Sequence, residues 1–367
     1  MLISLNWLKQ YVDLDGVDIE EMERALTMIG QEVEKIEIKG ENLEKVITAK
    51  IIEKEMHKDS DHLTVCKVDT GKEVLQIVCG APNHKEGDKV ALAQVGARLS
   101  EDFVIKKGKI RGEESNGMLC SEAELGIGSD ESGIIILPED TPIGVPMKEY
   151  LGVDDVVFEL EITPNRPDCL SHIGIAREIA AYYNKRVKYP STDINKEISE
   201  KTSDNIKVTI ENSELSKRYA ARILKGVTVK ESPEWLKERI EAIGLRSINN
   251  IVDVSNFILM EMNQPNHIFD LDNIEGKQIF IKSAKDEEVF ITLDEQERKL
   301  CKDDIVISDV SKTVALGGVM GGLNSEVTDN TKNILLEVAH FNPQNIRKTS
   351  RRLGLLSDAS YRFERGI

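Results

Sequence analysis

At 367 residues the chain is too long for one ordinary hydrophobic core and implies two or three domains. It is 40% hydrophobic and 31% charged, and no apolar run approaches the ~18 residues of a membrane-spanning helix. The net charge of −17 argues against a protein that coats nucleic acid non-specifically, DNA included, because phosphate contacts need local Lys and Arg.

Five cysteines, Cys66, Cys79, Cys120, Cys169 and Cys301, are scattered without a Cys-x-x-Cys pair. That excludes a disulfide framework or structural zinc site as the organising device and fits a reducing cytoplasm. The opening Met1-Leu2-Ile3-Ser4-Leu5-Asn6-Trp7 has neither the basic region nor the apolar core of a signal peptide.

Residues 1–38 read as a small helical opening. Asp18 and Glu21 have capping-box spacing, Met22, Ala25, Leu26 and Ile29 recur at helical spacing, and Gly30 stands where the helix should stop. Trp7 reads as a packing anchor.

Residues 39–150 change character. Short β-branched runs (Val46–Ile52, Leu63–Val68, Val90–Ala93) alternate with glycine turns, which predicts a small β-barrel or sandwich. The run Lys106-Lys107-Gly108-Lys109-Ile110-Arg111 is basic, and Phe103 is the one aromatic expected in the barrel core. Such a barrel would meet nucleic acid by shape and backbone contact rather than by base stacking. Cys79 and Cys120 read as buried small apolar groups, not metal ligands.

Residues 151–190 return to the style of the opening. A strand ending at Ile162 runs into Thr163-Pro164-Asn165-Arg166-Pro167-Asp168, and Ser171 caps a helix carrying Ile175, Ile179 and Tyr182. Arg166 and Asp168 read as a loop-bracing ion pair. The barrel is thus inserted between two halves, 1–38 and 151–190, of one small α+β domain.

Residues 191–204 are polar and read as a linker, and a mixed α+β domain follows over 205–367. Its predicted strands are Ile206–Ile210, Tyr219–Leu224, Ile279–Ile281, Glu288–Leu293, Ile305–Ser308 and Ile334–Val338. Ser232 is read as the cap, and Pro233 as the start, of a helix that buries Leu236, Ile240 and Ile243 and closes at Gly244. No Gly-x-x-x-x-Gly-Lys or His-Glu-x-x-His occurs, and Gly317-Gly318-Val319-Met320-Gly321-Gly322 lacks the lysine and helix of a phosphate loop.

Three stretches of this last domain are expected to meet: Asn263–Asp270 with His267; Gly317–Gly322 followed by Leu335–Ala339 with Glu337; and Leu356–Ser360. They would make a small polar pocket lined mainly by backbone and apolar groups. Read singly, each has a plainer alternative. His267 can be a satisfied core histidine, Glu337 can pair with a neighbouring strand, and the glycines can be tight turns.

Several of these words resemble known families. His57–Leu63, Ile77–Asn83 and Ile110–Ser121 resemble the oligonucleotide-binding-fold (OB-fold) tRNA-binding domain of synthetases and free-standing tRNA-binding proteins. Ile162–Asp168, the pocket stretches and Tyr361–Gly366 resemble the beta chain of phenylalanine–tRNA ligase, and order and spacing agree from Met1 onward.

The resemblance implies the N-terminal part of a longer chain, with an OB-fold barrel over 39–150 and an editing domain over 205–367 that hydrolyses mischarged Tyr-tRNA(Phe). It places editing positions at His267, Gly321, Glu337, Ser357 and Ala359, with Arg246 as a further lining residue. Ser357 departs from the threonine frequent in the family but keeps the hydroxyl. In these expectations Glu337 accepts a phenol hydrogen bond, Gly321 leaves room for close backbone approach, and Ala359 keeps the pocket wide. His267 positions the ester or terminal ribose, and Ser357 holds the attacking water or the amino acid's polar end.

Lys106, Lys107, Lys109, Arg111, Arg347, Lys348, Arg351 and Arg352 are the expected tRNA contacts. The partners implied are tRNA(Phe) and an alpha subunit, in a heterotetramer of two alpha and two beta chains. No metal or cofactor is expected in this stretch; ATP and magnesium would serve the alpha chain's aminoacylation. The alternative from another class is a tRNA-docking and subunit-scaffolding module without hydrolytic activity. A free-standing tRNA-binding protein would leave residues 205–367 without a purpose.

Overall fold

Alternating β-branched residues between glycine turns do build a curved sheet in residues 37–156. In the computed structural model, which describes residues 1–100, 102–194 and 197–367, Glu37–Val156 form one unit; Met1–Ile36 with Val157–Ile367 form the other. The first unit's sheet runs in the order Gly117–Leu119, Lys89–Gln94, Val46–Met56, Thr64–Asp69, Val74–Cys79, with Ile136–Leu137 also pairing with Lys89–Gln94.

Val46–Met56 serves two neighbours because it bends. It pairs with Lys89–Gln94 along Val46–Lys50 and with Thr64–Asp69 along Lys50–Met56, with an irregularity between Ile51 and Glu53. A bulge bends a strand in this way. The outer edges then almost meet: Asn116 N donates to Gln76 O at 2.9 Å and Val78 N to Ser115 Oγ at 3.1 Å. The result is a nearly closed, barrel-like sheet. Gly117 lies close to both neighbours, since a Cβ there would lie 2.7 Å from Ala93 O and 3.2 Å from Ile77 Cδ1.

Cys66, Cys79 and Cys120 are buried in this unit's core. Burial raises all three thiols, Cys120 to about 12, so they behave as small apolar groups. Phe103 does not sit in the core as expected; it is 46% exposed beside the sheet.

In the second unit Val156–Glu161 is the middle strand of a three-stranded sheet with Leu2–Ser4 and Glu32–Ile38. The helix Ile19–Met28 is capped by Asp18, whose side chain accepts from Glu21 N at 2.8 Å. The helix His172–Tyr182 is capped by Ser171, which accepts from Gly174 N at 3.0 Å. Tyr182 is exposed rather than on the buried stripe. Arg166 grips Asp168 and also Glu178, at 2.9 Å each.

Residues 205–367 contain two larger sheets around one core, and the two-stranded pair Val289–Ile291 with Glu297–Lys299. The first has the order Lys207–Ile210, Gln278–Ser283, Ile305–Ser308, Thr313–Leu316, Met320–Gly321, and its first pair is parallel. The second places Asn333–Phe341 between Ser216–Lys225 and Asn266–Asp270, both antiparallel to it. Phe269, Ile281, Val306, Leu335 and Phe341 are fully buried in the shared core.

Of the stretch read as a linker, residues 195 and 196 lie outside the described residues. Within the rest, Glu197 and Glu200 pair with Arg222 and Lys225 at 2.8 and 2.7 Å, and Thr202–Asn205 is a helical turn. The helix Glu234–Ala242 buries Leu236 and Ile240, but its cap is Pro233. Ser232 instead donates its hydroxyl to Asp253 Oδ2 at 2.5 Å, because that buried carboxylate collects donors from Ser247 and Ile248 as well.

Candidate functional site

The site is built on one face of the Ser216–Lys225/Asn333–Phe341/Asn266–Asp270 sheet. Strand alternation puts Leu335, Glu337 and Ala339 on that face. The register sets His267 directly beside Glu337 on one flank and Ala221 on the other. Glu337 is 5% exposed. Its burial pushes its carboxyl up to about 8, against the lowering effect of the hydrogen bond that Tyr219 donates to Oε2 at 3.1 Å. No ion pair to Glu337 is found among the described residues.

His267 packs edge-on against Phe269, ring centres 4.5 Å apart, and burial lowers its imidazole to about 4. At neutral pH the ring is therefore uncharged. Neither ring nitrogen has a hydrogen-bond partner among the described residues. Gly321 faces the ring. A Cβ at Gly321 would lie 2.6 Å from His267 Nε2 and 3.1 Å from Leu293 Cδ1, so the missing side chain leaves room for the imidazole.

His267, Gly321, Glu337 and Ala359 line one cavity of about 70 Å³ together with Met320 and Phe363. One water needs about 10–15 Å³ by this measure, so the cavity has room for several water-sized groups. The three stretches singled out in the sequence do converge here.

Two expected members do not line it. Ser357 caps the helix Asp358–Phe363, accepting from Ser360 N at 3.1 Å, and donates its hydroxyl hydrogen to Val319 O at 2.8 Å. Its hydroxyl hydrogen is committed to joining that helix to the glycine turn, which places Ala359. Arg246 is exposed in the loop after the helix Glu234–Ala242, where Ser247 and Ile248 are bonded to Asp253. Tyr219, Met320 and Phe363 were missed. Only Tyr219 left a signal, by sharing strand parity with Ala221, and that signal needs the register to be read.

The basic residues divide by what already holds them. Lys106 and Lys109 line a broad groove of about 620 Å³ with Phe103. Lys107 lies 3.4 Å from Glu114, and Arg111 donates to Asp59 O at 2.9 Å. Arg347, Lys348 and Arg351 are exposed on the helix Pro343–Leu353. Arg352 is bound to the buried Asp304 and donates to Lys299 O at 3.0 Å, which makes it a structural cation.

Among the described residues, Asp168, Cys169 and Glu178 are the group close enough to share a metal. The Arg166 guanidinium already stands against all three.

The chain joins two recognised modules. Residues 46–146 match the family described as "Putative tRNA binding domain", and residues 215–367 match the B3/4 domain. Along its whole length it is similar to proteins named phenylalanine–tRNA ligase beta subunit. That of Fusobacterium nucleatum is 57% identical over 100% of this chain and 46% of its own length. Those of Geobacter sulfurreducens and Bacillus subtilis are 51% and 46% identical over 100% of this chain and 45% and 46% of theirs. The chain belongs to the phenylalanine–tRNA ligase beta-subunit family and spans about half the length of the curated relatives it matches. A solved N-terminal fragment of the phenylalanyl-tRNA synthetase beta subunit from Pyrococcus horikoshii is 20% identical, covering 51% of this chain and 56% of that one, with a TM-score of 0.30.

Proposed function

We propose that this chain is the tRNA-binding and editing region of a phenylalanine–tRNA ligase beta subunit. It would bind tRNA(Phe) through an OB-fold barrel over 39–150 and hydrolyse Tyr-tRNA(Phe) in the 205–367 domain. Residues 1–38 and 151–190 would form the small α+β domain into which the barrel is inserted. Aminoacylation, with its ATP and magnesium, would belong to an alpha subunit, and two alpha and two beta chains would assemble in the cytoplasm.

The observation that carries this reading is a buried carboxyl without an ion-pair partner among the described residues beside a neutral imidazole without a hydrogen-bond partner there, in a mainly apolar cavity. Tyrosine differs from phenylalanine by one hydroxyl, and an apolar synthetic pocket rejects such an added hydroxyl only ~10²-fold. A second site that hydrogen-bonds the hydroxyl discriminates by roughly 10⁴ or more, because phenylalanine leaves the polar group unpaired. Glu337 supplies that group. Neutral, it donates to the phenol oxygen; ionised, it accepts the phenol hydrogen.

The ester joins the amino acid carbonyl to the terminal ribose. Water adds to that carbonyl, the ribose oxygen leaves and takes a proton, and free tyrosine is released. A histidine lowered to about 4 is a weak base. His267 therefore acts by accepting a hydrogen bond from the water or ribose hydroxyl and so orienting it. With Ser357 capping a helix, no covalent acyl-enzyme is derived from this site.

That same commitment of Ser357 favours the rival reading, a tRNA-docking scaffold. The two separate on deacylation of Tyr-tRNA(Phe) and Phe-tRNA(Phe) by the complete enzyme. Selective loss of Tyr-tRNA hydrolysis in Glu337→Ala and His267→Ala supports editing. Intact Tyr-tRNA with the wild-type enzyme leaves the scaffold.

A further inference from the structure

The cavity wall holds one hydrogen bond that the editing reading does not use. Tyr219 and Glu337 lie on adjacent strands in diagonal positions: Tyr219 pairs with Ala339, and Glu337 with Ala221. Diagonal neighbours stand about 7–8 Å apart, within reach of an aromatic side chain. The two alanines leave the path clear, and the tyrosine hydroxyl reaches Glu337 Oε2 at 3.1 Å.

Burial and the facing carboxyl hold the Tyr219 phenol well above its ordinary value, so its hydrogen stays in place and it is the donor. Oε1 has no protein donor among the described residues.

We propose that Tyr219 is a positioning residue for the cavity: by binding Oε2 it turns Oε1 toward the open side and fixes the direction in which Glu337 meets a phenolic hydroxyl. The proposal deepens the editing reading and rests on it. The terminal torsion of a glutamate is broad and roughly two-fold, so an untethered carboxyl would have to be ordered by each ligand that enters. A tethered one is already oriented, and the ordering cost is removed from binding.

The test uses the complete enzyme, alpha with full-length beta, carrying Tyr219→Phe, Glu337→Gln or both. Phenylalanine keeps the ring and its packing, and a thermal melt confirms the fold. The ratio of Tyr-tRNA to Phe-tRNA hydrolysis is expected to fall roughly tenfold in Tyr219→Phe, the size of one hydrogen bond to a polar partner. The double variant should then lose no more than Glu337→Gln alone, because the bond acts only through Glu337. A wild-type ratio in Tyr219→Phe, or losses that multiply in the double variant, overturns the positioning role while leaving editing intact. A wild-type enzyme that spares Tyr-tRNA overturns both.

Discussion

Glu337 is a carboxylic acid on a strand face that also carries Leu335 and Phe341, beside Phe269 of the paired strand, where leucine or valine would be expected. Its folded value of about 8 lies above the ordinary 4.5, so the fold prefers the neutral form. The folded state then binds more protons than the unfolded one between those values, and stability falls as pH rises through that window. The full loss is at most roughly 5 kcal/mol. Glu337→Gln removes the titration, so its melting temperature should gain on wild type between pH 5 and pH 9; parallel curves would refute the burial argument. Gly321→Ala tests the other side of the cavity. The added Cβ collides with the His267 ring, which predicts about 1–3 kcal/mol of overpacking strain in a denaturant melt. If the proposed editing role holds, Tyr-tRNA hydrolysis should fall far more than that modest strain implies, because the ring proposed to orient the water is displaced.

Among the elements, the helix His172–Tyr182 is fastened by its first residue. His172 is fully buried and stacked on Trp7 with ring centres 3.8 Å apart; it accepts from Ser4 N at 3.2 Å and donates from Nδ1 to Met260 O at 3.0 Å. Burial lowers it to about 3. A depressed histidine leaves the folded state with fewer protons than the unfolded one, so this stability is present above about 6.5 and lost as pH falls toward 3. His172→Ala should cost about 3–5 kcal/mol in urea at pH 7, from the cavity and two orphaned backbone groups. It should also flatten the stability profile below pH 6.5; an unchanged acid limb would show that other groups dominate it. This fastening was illegible beforehand, because nothing in Ser171-His172-Ile173 says that a strand end and a distant helix carbonyl will converge on one imidazole. The helix Asn250–Met262 was missed for a related reason: Ile251-Val252-Asp253-Val254 reads locally as strand. Asn249, accepting from Ile251 N and Val252 N at 3.0 Å each, and Asn263 in the left-handed conformation close that helix at its two ends. Where side chains alternate without competition, as in Val46–Ile52 or Ile305–Ser308, the strands were legible. So was the convergence of His267, Gly321, Glu337 and Ala359. The Tyr219 bond requires the register, and the cap at Ser357 was not legible because a capping hydroxyl and a water-holding hydroxyl look the same in a one-letter string.

For the whole molecule, a chain of net charge −17 must concentrate its cations locally if it is to bind tRNA as proposed, and then salt becomes the diagnostic. Each phosphate contact releases condensed counterion, giving a slope of log affinity against log salt of roughly 0.7 per contact on single strands and 0.9 on duplex. Lys106 and Lys109 face a groove without an ion-pair partner among the described residues, whereas Arg352 is bound to the buried Asp304. The two kinds of cation should therefore answer differently. Lys106→Gln with Lys109→Gln should weaken tRNA(Phe) binding by the complete enzyme and lower the slope by about 1.5, while leaving the melting temperature nearly unchanged. Arg352→Gln strands a carboxylate that is 1% exposed, which should cost about 3 kcal/mol and leave the salt slope where it was. Filter binding from 50 to 300 mM salt, with melts of the same proteins, separates the cases. If instead Arg352→Gln lowers the slope and the lysine pair does not, the groove beside Phe103 is not where the phosphates lie, and tRNA must be sought on the helix Pro343–Leu353.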